Sequence, residues 1–321
     1  MSVPLFNLTP NLTVSRLCLG TMTFGEQNSL PQSFRLLDEA FHAGINFFDS
    51  AEMYPVPQRA ETRGRSEEYL GRWIRERKIP RNRVVIATKV TGPSGQMVWI
   101  RGGPKCLDAK NITEAIDNSL QRMQMDYIDL YQIHWPDRFN SYSLLCRTFD
   151  SGLAECCHHE GISLLAYSPL AMGILSGKYF APNGGPANGR LNLFKGRYSE
   201  GESRYNLSNN MIKAATMEYL DIAKKHGLHP VSLAIAFVLR HPLVASTIFG
   251  ATSSWQLQET LNGCKIQLTP EIIEDINKDA HAPVDAVLDD EHKQLPACCC
   301  IFLNYCCVEC CIYLGSNLIQ I

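Results

Sequence analysis

The sequence predicts an α/β fold of the (β/α)8 or TIM-barrel type that is incomplete, with about six recognisable strands. Short apolar runs, rich in β-branched and aromatic residues, alternate with stretches whose apolar residues have helical spacing. Polar side chains follow three of these runs, and a barrel of parallel strands carries its active site at this carboxyl end. A closed barrel of this type has eight strands, so the series is short.

The predicted strands come first as a β-hairpin around 9–11 and a strand that ends at 20–21. Five more strands follow, at 45–48, 84–89, 127–133, 162–166 and 244–250. Helices are predicted between and after them, at 33–44, 66–77, 111–123, 149–160, 210–226, 230–240, 254–261 and 270–279. Asn111 is the expected N-cap of the third helix, because Glu114 lies three residues further on. The Gly-, Pro- and Asn-rich segment 181–206 is expected to be an exposed excursion.

Length and charge exclude several classes of protein. A chain of 321 residues is long enough for one barrel, and a net charge of -2 without a basic stripe gives no reason to expect nucleic acid. The first 20 residues lack both a charged n-region and a long apolar stretch, so no secretory signal is expected. The predicted location is the cytoplasm, with a plastid as the alternative, and the oligomeric state stays open.

Four chemical groups at the ends of successive strands predict an active site. Asp49, Tyr54, Lys89 and His134 supply an acid, a phenol, an ammonium and an imidazole. A neighbouring ammonium favours a phenolate, so Lys89 is expected to lower the pKa of Tyr54 and ease proton release. Asp49 would hold the ammonium, and His134 could hydrogen-bond a substrate carbonyl.

The chain also resembles a known family. The resemblance rests on six motifs, LCLGTMTFG, INFFDSAEMY, VVIATK, YIDLYQIHWPD, LLAYSPLAMGILSGKY and FGATSSWQLQETL. Together these motifs resemble the aldo-keto reductases, in the branch that includes bacterial Tas-like proteins and the β subunits of voltage-gated potassium channels. The resemblance implies an eight-stranded barrel that binds NADPH across its mouth, with a catalytic tetrad at Asp49, Tyr54, Lys89 and His134.

The resemblance further implies a set of cofactor contacts. Thr21 and Met22 would approach the nicotinamide, which Tyr167 would stack against, while Asp49 also lies on the cofactor side. The pyrophosphate and adenosine contacts would be Ser168, Pro169, Leu170, Lys178, Gly250, Thr252, Gln256, Glu259 and Thr260. Taken without the family, the segment 253–261 is better explained as an amphipathic helix with a Ser cap.

One stretch departs from the family pattern. After His134 the family carries two further strand–helix units, with a Ser-Asn pair and a Gln that grip the nicotinamide carboxamide. Here the chain runs directly into residues 140–150, Phe139 stands where the Gln is expected, and only 140–142 remains of the later strand. Six strands cannot reuse the register of eight, so unpaired strand edges are expected.

The last residues have no counterpart in the family. We predict a reductase-like barrel domain over 1–295 and a Cys-rich apolar tail over 296–321 that is not part of the fold. Seven of the chain's 13 cysteines lie in 298–311. A membrane anchor is an alternative, against which Asn304 and Glu309 argue. No metal site is predicted, since the adjacent Cys pairs around Cys307 and Cys310 suit zinc poorly.

The predicted function is NADPH-dependent reduction of an aldehyde or ketone by hydride transfer, with Tyr54 as general acid. The predicted partner is therefore a small carbonyl substrate whose identity the sequence does not give. Two alternatives stand beside it. The chain could be an NADPH-binding regulatory subunit without turnover, or a defective chain, like a splice variant, that keeps the tetrad without stable folding.

Overall fold

The computed structural model describes residues 2–94, 96–103, 107–134, 142–151, 153–197 and 205–278. Eight strands are present in this part of the chain, and they form an antiparallel hairpin and a six-stranded parallel sheet. Their bounds are β1 Leu5–Thr9, β2 Leu12–Ser15, β3 Leu17–Gly20, β4 Phe47–Asp49, β5 Val85–Val90, β6 Leu130–Ile133, β7 Leu164–Tyr167 and β8 Val244–Phe249. All six predicted barrel strands are confirmed.

The large sheet is curled into a half-barrel. Its strand order is β6-β5-β4-β3-β8-β7, and every neighbouring pair is parallel. Within the described residues β6 and β7 each pair on one side only, so the sheet is open between them. The opening falls where the sequence lacks its two strand–helix units, and the incomplete barrel is thereby confirmed.

Helices cover the outer face of the sheet. Their bounds are α1 Leu30–His42, α2 Arg65–Glu76, α3 Ala109–Met123, α4 Leu153–His159, α5 Arg190–Leu193, α6 Asn210–Lys225, α7 Pro230–Leu239, α8 Ser254–Gly263 and α9 Pro270–Lys278. Each of the eight predicted helices has a counterpart among them. The short α5 lies in the segment 181–206, and the expectation of an exposed excursion is wrong there, because Leu191 and Phe194 are buried.

Two details of the helix prediction are wrong. The N-cap of α3 is Asp108, whose carboxylate accepts the Asn111 backbone N–H at 2.8 Å, so Asn111 lies inside the helix. An acidic side chain is the better cap because it accepts this bond with a full charge. The predicted helix 149–160 begins instead as a 3-10 turn at Thr148–Ser151, and α4 follows from Leu153.

Alternation along the strands divides the core into an inner and an outer layer. Cys18, Phe47, Val85, Ala87 and Leu130 pack together on the inner face. Their neighbours in sequence, among them Leu17, Leu19, Phe48 and Ile86, pack outward against the helices. Successive side chains of a strand point to opposite faces, so this division follows from the strands themselves.

The hairpin closes the inner layer at its amino end. Val14 is fully buried there, and Phe6, Leu8 and Leu12 pack against the same cluster. The inner face at the opposite, carboxyl end carries polar residues, and we refer to that end as the mouth. A short apolar segment that follows β6 in the chain includes Tyr142 and Leu144 and is buried against β7 and α7. It forms no strand within the described residues.

Some expectations concern residues outside the described part of the chain. These are Phe139, Asn140 and the tail 296–321 with its cysteines. Among the described residues, no helix combines the length and the apolar character needed to cross a bilayer.

Candidate active site

Strand alternation places Asp49 and Lys89 in the mouth. Asp49 stands two residues after the inward-facing Phe47, and Lys89 stands two residues after the inward-facing Ala87. Each strand therefore presents its last inward side chain at the mouth, with Asp49 opposite Ala87 in the register and Lys89 two residues further along β5. Asp49 is 2% exposed and Lys89 is 8% exposed, so two opposite charges share a nearly water-free site.

The Lys89 ammonium is fixed by two oxygen acceptors. Its Nζ lies 2.5 Å from Asp49 Oδ2 and 2.6 Å from the backbone oxygen of Ser50. Charges buried in this way persist only when they are paired, and the pair here is direct. The predicted contact between Asp49 and Lys89 is therefore present.

Tyr54 and His134 complete the group at the mouth. Tyr54 lies in the loop after β4 and is 7% exposed, with Lys89 Nζ 5.0 Å from the centre of its ring. His134 follows β6 directly, and its ring meets that of Tyr54 edge to face, with centroids 5.4 Å apart. The structure thus brings together all four residues that the sequence placed at strand ends.

Burial decides the pKa of Tyr54. Removal from water raises this pKa above its ordinary value, and the charge of Asp49 raises it further. The charge of Lys89, a hydrogen bond with Lys89 and the charge of Arg190 all lower it, but the net direction is upward. The expectation that Lys89 leaves Tyr54 more acidic than usual is therefore wrong, because burial outweighs the ammonium.

The imidazole of His134 is held neutral. Burial lowers its pKa well below the ordinary value, and the positive charge of Lys89 adds to that effect. A neutral imidazole can donate one hydrogen bond without carrying a charge. His134 thus differs from Lys89, which remains the cation of the site.

Gln132 is a polar residue of the mouth that the sequence interpretation missed. It lies two residues after the inward-facing Leu130, and its Nε2 donates to Asp49 Oδ1 at 2.8 Å. Asp49 therefore has one carboxylate oxygen on Lys89 and the other on Gln132. The signal that could have found Gln132 is the same period of two that places Asp49 and Lys89.

An apolar wall surrounds the phenol. Met53, Met97, Ile100 and Phe194 pack in one buried cluster with Tyr54. Met22, Trp99 and Met172 cover this cluster as partly buried neighbours. Met22, which is expected at the cofactor, therefore stands beside Tyr54.

Several residues after β7 lie in the left-handed backbone region. Ser168, Ala171, Met172 and Gly173 all have positive φ, at 56°, 47°, 56° and 91°. Turns of this kind can form concavities that bind phosphate. Here the Ala171 and Gly173 N–H groups already donate to the Ser168 and Leu170 oxygens, each at 2.9 Å. The segment holds the predicted contacts Ser168, Pro169 and Leu170, and it begins at Tyr167, the last residue of β7.

Two cations stand next to this segment. A Cβ added to Gly173 would lie 2.9 Å from Lys178 Nζ, so the ammonium lies directly against that glycine. Burial lowers the pKa of Lys178, and the charge of Arg190 lowers it further. Arg190 also acts on Tyr54, and a Cβ added to Gly250 would lie 3.7 Å from its guanidinium. Arg190 thus faces the mouth, a position that its Gly-rich surroundings in the sequence did not indicate.

The predicted adenosine-side contacts divide into two groups. Gly250 and Thr252 lie between β8 and α8, where Thr252 N–H donates to the Gln256 side chain at 2.8 Å, and Ser253 caps the helix. Glu259 and Thr260 instead contact the protein. The Thr260 hydroxyl donates to Gln256 O at 3.0 Å and is 1% exposed. Glu259 Oε2 lies 3.4 Å from His229 Nδ1.

Thr21 is also held within the protein, on the side of helix α2. It is fully buried, and its hydroxyl donates to the backbone oxygen of Asp49 at 3.0 Å. The same hydroxyl lies 2.6 Å from Ser66 Oγ. Thr21 therefore joins β3 to β4 and α2, while Met22 is the neighbour that reaches the Tyr54 cluster.

A cluster with metal-binding residue types lies far from the mouth, on α9 and the end of α6. His226, Glu271 and Asp275 offer ligand atoms within 4.8 Å of one another. Asp275 Oδ2 already accepts from Lys225 Nζ at 2.7 Å and lies 2.6 Å from His226 Nε2. These contacts make a partly buried ion-pair cluster, in which the Lys225 ammonium already supplies the positive charge beside Asp275.

The chain matches the model of the aldo/keto reductase family over residues 16–146 and 139–280. These segments contain the whole half-barrel and all four residues at the mouth. The chain belongs to the aldo/keto reductase family, a family of oxidoreductases.

Its relatives place it in the predicted branch. It is 37% identical to the protein Tas of Escherichia coli over 334 aligned residues, covering 83% of this chain and 94% of Tas. It is 29% identical to a probable voltage-gated potassium channel subunit beta of Oryza sativa, covering 83% of this chain and 92% of that one. An uncharacterized oxidoreductase of Bacillus subtilis, YrpG, is also 29% identical, with the same coverage.

The alignments also locate the shortened region. Eighty-three per cent of 321 residues is about 266, so an alignment of 334 positions with Tas includes positions that have no counterpart in this chain. The family match likewise comes in two segments that meet at 139–146. This point follows β6, where the sheet is open.

Proposed function

We propose that this protein is an NADPH-dependent oxidoreductase that reduces an aldehyde or ketone, with Tyr54 as the general acid. The observation that carries the proposal is the arrangement at the mouth. A paired ammonium at Lys89 lies 5.0 Å from the centre of the Tyr54 ring, and a neutral His134 meets the same ring at its edge. This arrangement supports a role for Tyr54 as proton donor and for His134 as hydrogen-bond donor to one carbonyl oxygen.

The raised pKa of Tyr54 suits a proton donor for an alkoxide. The phenol stays protonated at neutral pH, so the proton is available when negative charge develops on the substrate oxygen. An alkoxide is far more basic than a phenolate, so the transfer is downhill. Lys89 then stabilises the phenolate that remains. Asp49 holds the Lys89 ammonium, and Gln132 in turn holds the Asp49 carboxylate.

His134 has a separate task. Because its imidazole is neutral, it can donate a hydrogen bond to the carbonyl oxygen without stabilising the ground state as strongly as a cation would. The apolar wall of Met97, Ile100 and Phe194 would exclude water from this oxygen.

The residues around the mouth fit NADPH. NADPH supplies the hydride when bound. The turns at 168–173 and the first turn of α8 would receive the phosphates, and Lys178 and Arg190 supply positive charge beside them. Within the described residues no carboxylate forms an ion pair with either cation. We assign the nicotinamide side to Tyr167, Met22 and Asp49.

A second candidate is an NADPH-binding subunit without turnover. It is favoured by one observation, the missing region after β6, where the family carries its grip on the nicotinamide carboxamide. A poorly oriented nicotinamide would bind but would transfer hydride slowly. A relative named as a channel β subunit is compatible with such a role.

One experiment separates these candidates. Purified protein is titrated with NADPH while nicotinamide fluorescence is followed, and a reactive aromatic aldehyde is then added. The enzyme hypothesis expects saturable binding followed by consumption of NADPH, and it expects Tyr54→Phe to lower kcat by about 100-fold or more at unchanged NADPH affinity. Binding without consumption would favour the subunit. Equal rates in the wild type and Tyr54→Phe would refute the role of the phenol.

We further propose that the folding unit is 1–295 and that the protein acts in the cytoplasm. The buried core clusters of the described residues draw on residues 3–276, all of which lie within this proposed unit. A variant truncated after residue 295 should keep the melting temperature of the full chain and its distribution between pellet and supernatant. If the full chain pellets with membranes and the truncated one does not, the tail is an anchor.

A further inference from the structure

A second buried ion pair joins the loop that contains Tyr54 to the loop after β5. Glu52 stands two residues before Tyr54, and Arg101 stands in the loop that follows β5. Their side chains are 0% and 1% exposed, and the Arg101 guanidinium donates to Glu52 Oε1. Neither residue touches the mouth in the arrangement described above, so the proposed proton transfer does not use them.

Both charged groups are tied to Thr91, just beyond the end of β5. The Thr91 backbone N–H donates to Glu52 Oε1 at 2.5 Å, and Arg101 Nη2 donates to the Thr91 oxygen at 3.1 Å. The Glu52 backbone N–H donates to the Lys89 oxygen at 3.2 Å. One pair therefore joins three segments: the end of β5, the 50–54 loop and the 96–103 loop.

The backbone of Arg101 is in an unusual conformation for this pair. Its φ is 45°, in the left-handed region, although the residue is not glycine. Gly102 and Gly103 follow at 69° and 79°, and they adopt such angles without strain. A strained residue persists only where its surroundings hold it, and here the holding contacts are those of its own side chain.

The loop that Arg101 holds forms the wall next to the phenol. Met97 and Ile100 pack in the same buried cluster as Tyr54 and Ala51, and Trp99 covers it. A second tie comes from Arg63, whose Nη1 donates to the Trp99 oxygen at 3.1 Å. A displacement of the 96–103 loop would therefore remove packing from one side of Tyr54.

The hydrogen bonding of the pair is incomplete. Glu52 Oε2, Arg101 Nε and Thr91 Oγ1 are buried and have no hydrogen-bond partner among the described residues. Buried charges whose polar atoms are only partly satisfied contribute little net stability, and apolar residues of similar size often serve stability better. Such a pair is better explained by the geometry that it imposes than by the stability that it adds.

We propose that Glu52 and Arg101 are positioning residues that hold the 96–103 loop against Tyr54 and thereby fix the phenol and the substrate wall. The inference rests on the proposed function for its catalytic consequence, but its structural part stands without it. Tyr54 can donate its proton efficiently only if the hydroxyl stays at a fixed place in the mouth, and small displacements in such sites are costly.

The same strand offers a matched control at its other end. Arg81 donates to Asp129 and, at 2.9 Å, to the Val84 oxygen, while Asp129 Oδ2 accepts the Ile86 backbone N–H at 2.8 Å. This arginine–carboxylate pair thus repeats the contacts of Arg101 and Glu52 at the amino end of β5. Its side chains are 20% and 16% exposed, and it lies away from the mouth.

The test compares Arg101→Lys, Arg101→Met and Glu52→Gln with Arg81→Met. The measurements are kcat at saturating NADPH and aldehyde, the Kd for NADPH, and hydrogen exchange of peptides that span 50–56 and 96–103. Arg101→Met should lower kcat by about tenfold or more and speed exchange in both peptides, at an NADPH Kd within about twofold. Arg101→Lys keeps the positive charge but loses the planar guanidinium that donates to Glu52 and to the Thr91 oxygen together, so its effect should be intermediate.

Arg81→Met should lower the melting temperature and leave kcat and both peptides unchanged. Equal kcat and equal exchange in Arg101→Met and Arg81→Met would overturn the positioning role. If Arg101→Met does not fold, the same comparison is made with Arg101→Lys and Glu52→Gln. If the wild type binds NADPH but does not turn over, the proposed function fails, and the exchange of 50–56 and 96–103 alone decides the inference.

Discussion

At the scale of single residues, two effects compete for the proton of Tyr54. Lys89 favours the phenolate through its charge and a hydrogen bond, whereas burial favours the neutral phenol. Burial is stronger here because the ammonium is already neutralised in part by Asp49, and Asp49 itself opposes the phenolate. A sequence shows which groups are neighbours, but it does not show how much water remains around them.

This balance predicts the pH dependence of the reduction. Because the pKa of Tyr54 lies above its ordinary value of about 10, the phenol stays protonated and kcat/KM should not fall through its ionisation between pH 6 and 9. Lys89→Met removes a lowering influence, so it should lower the rate without creating a basic limb. The measurement is kcat/KM for the aldehyde against pH, with buffer ionic strength held constant. A basic limb near pH 8 that Lys89→Met moves to higher pH would show that Lys89 affects the pKa of Tyr54 more strongly than burial does.

His134 should make stability depend on pH. Its pKa in the folded protein is lowered, whereas in the unfolded chain it is about 6.5. Above pH 6.5 both states are neutral there and no effect is expected. As pH falls below 6.5, only the unfolded state takes up the proton, so stability is lost by up to about 1.4 kcal/mol per pH unit.

Urea unfolding at pH 7.5 and pH 5.5 checks this expectation. The wild type should lose about 1 kcal/mol more between these two conditions than His134→Gln does. His159→Gln is the control, since that side chain is 71% exposed. An equal loss in the wild type and His134→Gln would contradict a neutral, buried His134.

At the scale of elements, strand alternation places the polar residues of the site, and close helix packing restricts which substitutions the fold tolerates. Asp49, Lys89 and Gln132 share the mouth because each is the next inward residue of its own strand. The register supports this, since Lys89 lies opposite Gln132 and Asp49 lies opposite Ala87. A shift of one residue in any of these strands would turn its polar side chain toward the helices.

Helix α2 contains a glycine that helix propensity alone would replace. Gly71→Ala should stabilise an isolated helix by about 1 kcal/mol. In the fold a Cβ at this position would lie 2.0 Å from the Met123 backbone oxygen at the end of α3, so the two helices would have to move apart. Overpacking of this kind costs about 1–3 kcal/mol, and the clash with a backbone atom places it at the upper end.

We therefore expect Gly71→Ala to lower the free energy of unfolding, by about 1–2 kcal/mol net. Chemical denaturation followed by circular dichroism measures the change. Arg72→Ala, next to it on the exposed side of α2, should change stability by less than about 0.5 kcal/mol. A stabilised Gly71→Ala would mean that α2 and α3 are further apart than described.

At the scale of the whole molecule, the open sheet is the main departure from a closed barrel. Strands β3 and β4 have neighbours on both sides, whereas β6 and β7 pair on one side within the described residues. Closure removes strand edges in a complete barrel, so an open sheet keeps two places where opening can begin.

Hydrogen exchange should reveal this gradient. We expect amides of β6 and β7 to exchange faster than those of β3 and β4 under native conditions, because edge strands open locally at lower free energy. Peptides spanning Leu17–Gly20 and Phe47–Asp49 serve as internal references for the centre of the sheet. Protection of Leu130–Ile133 equal to that of Leu17–Gly20 would show that the sheet is closed across β6.

The sequence by itself determined the six parallel strands, the outer helices and the residues at the strand ends. These properties depend on local patterns, namely alternation, helical spacing and chain order. Gln132 could have joined them, because it follows from the same alternation that identified Asp49 and Lys89.

Only the tertiary structure decided the direction of the Tyr54 pKa, the approach of Arg190 to the mouth and the buried pair of Glu52 and Arg101. Each of these depends on burial or on contacts between segments distant in sequence. The free energy of a charge or a proton is set by the water and the partners around it, and these are defined only once the chain has folded.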